Sequence, residues 1–95
     1  MDEIKNFLDT KYADILNKYK DNKNARLLLA QEIIDASEDM QVDFKSFSLI
    51  PVFDIFDNDF ICFQIKNGKW CVFNIVDELS FKTDKTLEEL LSLKS

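Results

Sequence analysis

Four carboxylates stand out by type and spacing. Asp57 and Asp59 flank Asn58 in one polar stretch, and Asp77-Glu78 closes a later apolar run. Carboxylates grouped in this way could hold a divalent cation. An EF-hand-like loop, however, needs more oxygen ligands and a glycine at its bend. The chain's single glycine, Gly68, lies elsewhere, so no metal is expected here. What remains is electrostatic chemistry: a docking rim for a basic protein partner, or two solvated polar turns.

The rest of the inventory is sparse. There is no histidine, which removes the commonest general base and metal ligand. One glycine cannot build a phosphate-binding loop. No serine or cysteine has nucleophile-elbow surroundings. No catalytic residue and no cofactor site is therefore expected, and the chain is not expected to be an enzyme. Cys62 and Cys71 read as small buried hydrophobes rather than as a disulfide or metal pair.

The elements that must position the carboxylates centre on Phe60 to Val76, which reads FICFQIK, Asn67-Gly68, KWCVFNIV. Asn-Gly between apolar alternations marks a hairpin with a type I′ turn. A two-residue loop sets Ile65 opposite Trp70 and Phe63 opposite Val72, with Cys62 and Cys71 diagonal. Ile61, Phe63, Ile65, Trp70, Val72 and Val76 then share a core face. The other face, with Phe60, Cys62, Phe73 and Ile75, is mixed. Together with Val52 and Phe56 it is too apolar to leave in water, and helices of the same chain are expected to cover it. Trp70 lies on the core face beside the turn, where it serves either the core or a binding surface.

Upstream, residues 2 to 19 carry Ile4, Phe7, Leu8, Tyr12, Ile15, Leu16 and Tyr19 at helical spacing, with Asp2 as cap. A second helix is expected from Ala25 to about Met40, capped by Asn24, the two forming a helical hairpin. Asp35, Glu38, Asp39 and Asp43 read as its solvated exit. Residues 47 to 56, FSLIPVFDIF, form a first strand, and Pro51 makes it an edge strand or edge segment. A three-residue turn at Asp57–Asp59 sets Phe53 opposite Phe63 and adds Leu49, Phe53 and Ile55 to the core face. Thr86 and Glu89 form a capping box before a short helix bearing Leu87, Leu90, Leu91 and Leu93. The expected fold is α+β: two N-terminal helices, a three-stranded antiparallel meander and a short C-terminal helix.

Strand directions gather the carboxylates. One strand runs away from the Asp57–Asp59 turn and the next returns toward it, so Asp77 and Glu78 arrive beside that turn. Lys66 and Lys69 lie at the opposite end. The 95 residues carry a formal net charge of −6, which argues against a nucleic-acid backbone or an anionic membrane as main partner. With 46% apolar and 32% charged residues and nine phenylalanines, one domain over 1–95 is expected. No apolar run approaches the roughly 18 residues of a membrane span. The N-terminus MDEIKNF lacks signal-peptide features, so a cytoplasmic location is expected.

The second half resembles the SUKH (SMI1/KNR4-like) superfamily. The matching pieces are Leu49-Ile50-Pro51-Val52, then Asp57-Asn58-Asp59-Phe60-Ile61-Cys62-Phe63, then Thr86-Leu87-Glu88-Glu89-Leu90-Leu91. They span roughly Phe47 to Leu93. Members are usually longer, and the turn at Asp57 lacks their usual glycines. The resemblance implies a non-enzymatic immunity protein that binds and neutralises a cognate toxin, often a nuclease. The combined expectation is a small protein-binding module, monomer or homodimer, with a basic, toxin-like protein partner met at Asp57, Asp59, Asp77 and Glu78. The alternative is a self-associating scaffold or regulatory domain.

Overall fold

A computed structural model describes residues 3–23 and 25–92. The expected caps Asp2 and Asn24, and Leu93 of the last apolar stripe, lie outside the described residues. The elements are α1 (Glu3–Thr10), α2 (Tyr12–Tyr19), β1 (Arg26–Leu27), α3 (Ala30–Met40), a 3-10 helix (Phe44–Phe47), β2 (Leu49–Asp54), β3 (Asp59–Gln64), β4 (Trp70–Asn74), β5 (Leu79–Lys85) and α4 (Leu87–Ser92). The strands form one antiparallel sheet in the order β1-β2-β3-β4-β5. The α+β class agrees with the sequence reading. The three-stranded meander does not: the sheet has five strands.

Both additional strands lie at sheet edges. β5, LSFKTDK, is mostly exposed, so it needs no apolar alternation. Lys82 adopts φ 54°, and the β4–β5 register breaks between Trp70 and Val72. β1 is too short to show a period. The sequence places a helix from Ala25 onward, but the chain stays extended from Arg26 through Leu29 (φ −71°, ψ 156°). There the Leu28 N–H donates to the Val52 carbonyl at 2.9 Å. α3 starts only at Ala30 because Glu32 reaches back to accept from the Leu29 N–H at 2.8 Å. Glu32 also takes a two-pronged bond from Arg26 at 2.9 and 3.0 Å.

The expected first helix divides at Lys11, whose φ of −123° leaves the helical range. Just before it, the Thr10 hydroxyl donates to the Asn6 carbonyl at 2.7 Å, a back-bond that bends helices. Upstream of β2, Phe44–Phe47 winds into a 3-10 helix, so the strand expected over 47 to 56 covers only Leu49–Asp54. Asp43, assigned to a solvated exit, caps it by accepting from the Ser46 N–H at 3.3 Å. At the C-terminus the capping box forms as expected. The Thr86 N–H donates to Glu89 at 2.9 Å, and the Glu89 N–H donates to the Thr86 hydroxyl oxygen at 3.1 Å.

The central hairpin is displaced by two residues from the expected register. Phe63 faces Trp70 and Ile61 faces Val72, so Cys62 lies directly opposite Cys71, not diagonal to it. The loop is longer than a type I′ turn. Gly68 alone takes a positive φ, 72°, while the Asn67 side-chain oxygen accepts from the Lys69 N–H at 2.9 Å. A slip of two preserves facing, because side chains alternate with period two. Ile61, Phe63, Trp70 and Val72 therefore still share a face.

Rings place the helices on that face. Phe7 of α1 lies 5.3 Å from Phe63 and 6.4 Å from Trp70, and Tyr19 of α2 lies 6.1 Å from Phe53. The opposite face is also covered from within the chain. Phe44 and Phe47 pack on Phe73 at 5.7 and 5.0 Å, and Val52, Phe60, Cys62 and Phe73 are buried. Of that expected patch, Phe56 alone is strongly exposed.

The β2–β3 pairing also departs from expectation. Phe53 faces Ile61, and a register break between Pro51 and Phe53 puts Ile50, not Phe53, opposite Phe63, with Leu49 opposite Gln64. Pro51 sits at that break, beyond the reach of β1, which pairs only with Phe53 and Asp54. A strand can accept a missing donor at such a place. α3 packs against β2 and α1, while α4 packs on β4 and β5. Glu88 of α4 is tied to α2 by the Tyr19 hydroxyl and by Lys18 at 3.2 Å.

Candidate functional site

The four carboxylates come to one end of the sheet through two turns. In the first, residues 55–58, the Asp54 carboxylate accepts from the Phe56 N–H at 2.8 Å. The Ile55 N–H donates to the Asp59 carbonyl at 3.1 Å, and the Asp59 N–H donates to the Phe56 carbonyl at 3.0 Å. Phe56, Asp57 and Asn58 all hold positive φ, at 74°, 56° and 69°. Asparagine and aspartate tolerate this region. A residue such as phenylalanine is held there at a cost of about 1–2 kcal/mol.

The second turn, residues 75–78, is built on Asn74. Its side-chain oxygen accepts from the N–H groups of Val76 at 3.0 Å and Asp77 at 2.9 Å. Its side-chain nitrogen donates to the Asp59 carboxylate at 2.8 Å. The Ile75 N–H donates to the Asn58 carbonyl at 2.9 Å, so main chain joins the turns as well. Asp57, Asp77 and Glu78 are exposed, and Asp59 is half-buried. Asp59 therefore positions the second turn, leaving the other three to face outward. Neither turn contains a lysine or arginine. Arg26 lies opposite Asp54 and is engaged by Glu32.

Sequence reasoning missed Asn74. Its signal was present, because an asparagine side chain commonly bonds backbone N–H groups two residues on and starts a turn. The expected strand ran on to Val76 and assigned it to the core. The strand ends at Asn74, and Val76 is 68% exposed. Leu79 beyond it is 61% exposed and Phe56 is 50% exposed. Thus three of the seven exposed large apolar residues among the described residues fall on these turns or next to them.

Elsewhere the side chains are engaged in structure. Among the described residues no three imidazole, thiol or carboxylate groups converge as a metal ion would require. Cys62 and Cys71 are free and buried. Burial pushes the Cys71 thiol up to about 11 and raises Cys62 well above the usual thiol range, so neither is a thiolate at neutral pH. Trp70 is half-buried, 5.3 Å from Phe63. It lines a cleft of about 600 Å³ with Lys11, Asp14, Lys69, Asp84 and Glu88. With Lys85 the lining holds three bases and three acids, so the cleft favours neither sign of ligand.

No family model matches this chain. Neither the curated proteins nor the solved structures hold a match to it. Among the described residues, no helix is long and apolar enough to cross a membrane.

Proposed function

We propose that this chain is a small cytoplasmic, non-enzymatic binding protein of the immunity type, which captures a basic toxin-like protein at the acidic end of its sheet. The observation that carries the reading is the joining of the two turns. Asn74 to Asp59 and Ile75 to Asn58 hold Asp57, Asp77 and Glu78 at one end, with no basic residue in either turn. Fixed like charges at one end of a chain of net charge −6 attract a cationic surface and orient it on approach. The short strand and capping-box motifs behind the SUKH resemblance add the immunity-type role to this electrostatic reading.

Co-expression tests the proposal. Immunity proteins are typically encoded beside their toxins, so the neighbouring reading frame is expressed alone and together with this chain. Growth arrest by the neighbour, relieved by this chain and not by its Asp57→Asn, Asp77→Asn, Glu78→Gln variant, is the expected result. Relief that is equally complete with the variant would move the binding surface away from the acidic end. Absence of any growth arrest would remove the immunity-type reading.

A further inference from the structure

We propose that the acidic end is an amphipathic docking surface, in which Phe56, Val76 and Leu79 meet an apolar side chain at the centre of the basic partner's surface. This rests on the acidic-end reading above and adds the apolar contact to it. Three observations carry it. Phe56 is half exposed although its backbone is held at a positive φ of 74°. That conformation disfavours bulky side chains, and asparagine would fit it better. Val76 and Leu79 are more exposed still, and they flank Asp77 and Glu78. The Ile75-to-Asn58 hydrogen bond joins the turn bearing Val76 to the turn bearing Phe56.

Apolar groups interspersed with charges of one sign match the usual anatomy of an interface, with an anchor inside a polar rim. The sign of the rim selects the occupant. Asp57, Asp77 and Glu78 adjoin the apolar residues in sequence and neither 55–58 nor 75–79 contains a lysine or arginine, so a second copy of this acidic end would be repelled. A lysine- or arginine-rich surface with one exposed leucine, phenylalanine or methionine fits both parts.

The test uses synthetic peptides and backbone NMR. One peptide is a lysine–leucine sequence with its leucines on one helical face. A second keeps the lysines and replaces leucine by serine. A third keeps the leucines and replaces lysine by glutamate. The lysine–leucine peptide is expected to shift the amides of residues 56–58 and 76–79, at least tenfold more tightly than the lysine–serine peptide. The glutamate–leucine peptide should leave these amides unmoved.

Phe56→Asn should weaken the lysine–leucine peptide about tenfold while its melting temperature stays level or rises, because asparagine relieves the positive φ. Equal affinity of both lysine peptides at these amides overturns the apolar contact and leaves the acidic-end reading standing. No shift at these amides with either lysine peptide overturns both. Shifts confined to another surface, or a dimer that buries Phe56 in sedimentation, overturn the proposal.

Discussion

Replacing Asn74 by alanine probes the joint between the turns. The change removes one bond to the Asp59 carboxylate and two from the Val76 and Asp77 N–H groups. A typical intramolecular hydrogen bond contributes about 0.5–1.5 kcal/mol net, and one to a charged group about 1.5–3. Val76 and Asp77 are exposed, so water can replace their lost acceptor and the low end applies to both. A total of about 2.5–4 kcal/mol follows, which for a domain of this size is a drop of at least roughly 10 °C in Tm. The Ile75 amide should also exchange faster, since its bond to Asn58 depends on the same joint. Asn74→Asp keeps an acceptor for the turn but sets a second carboxylate against Asp59. Two like charges there repel, so the deficit should be smaller at acid than at neutral pH. Thermal melts from pH 3 to 7 and hydrogen exchange at Ile75 are the measurements. A Tm for Asn74→Ala within about 2 °C of the parent, with Ile75 exchange unchanged, would refute the joint.

Further outcomes follow from the rest of the fold. Gly68 has φ 72° and open space where a β-carbon would stand, so substitution there meets backbone strain alone. Alanine should cost about 1 kcal/mol and valine up to about 2, with asparagine between alanine and glycine in melting temperature. Phe73→Ala should lower stability by about 3–5 kcal/mol in urea unfolding, because the ring is fully buried against Phe44 and Phe47. The Tyr19 hydroxyl, helped by a backbone N–H and Lys18, holds the Glu88 carboxyl down at about 2. A depressed folded pKa means that stabilisation is present above the ordinary value of 4.5 and is lost as pH falls toward about 2. Glu88→Gln should flatten the urea midpoint over that window. Its side chain is 60% exposed, so the effect should stay below about 1 kcal/mol.

What the sequence disclosed, and what it hid, has a physical pattern. Facing was legible because period-two alternation survives a two-residue slip, and so Ile61, Phe63, Trp70 and Val72 were grouped correctly. Register was not. Asn67-Gly68 suggested the shortest loop, while the Asn67 side chain and the positive φ of Gly68 close a longer one. The slip moved Cys71 opposite Cys62. Edge strands were illegible because β5 is largely solvated and β1 is too short for a pattern. Leu28 and Leu29 mimicked a helical stripe, whereas tertiary pairing with Val52 keeps them extended. The acidic end was legible from topology, since any antiparallel β2–β3–β4 arrangement brings Asp57 and Asp77 to one side. Asn74 and the exposed Phe56 needed the turn geometry.

Association kinetics test the central claim most directly. The partner is recovered by pull-down from the native cell and identified by mass spectrometry. Its binding is then timed at low and high salt against the parent chain and a variant with Asp57→Asn, Asp77→Asn and Glu78→Gln. Rim charges act mainly on encounter. The variant should therefore associate about tenfold or more slowly at low salt, with a flattened salt dependence and convergence with the parent at high salt. A variant that associates as fast as the parent at low salt would show that the acidic end is only a pair of solvated turns.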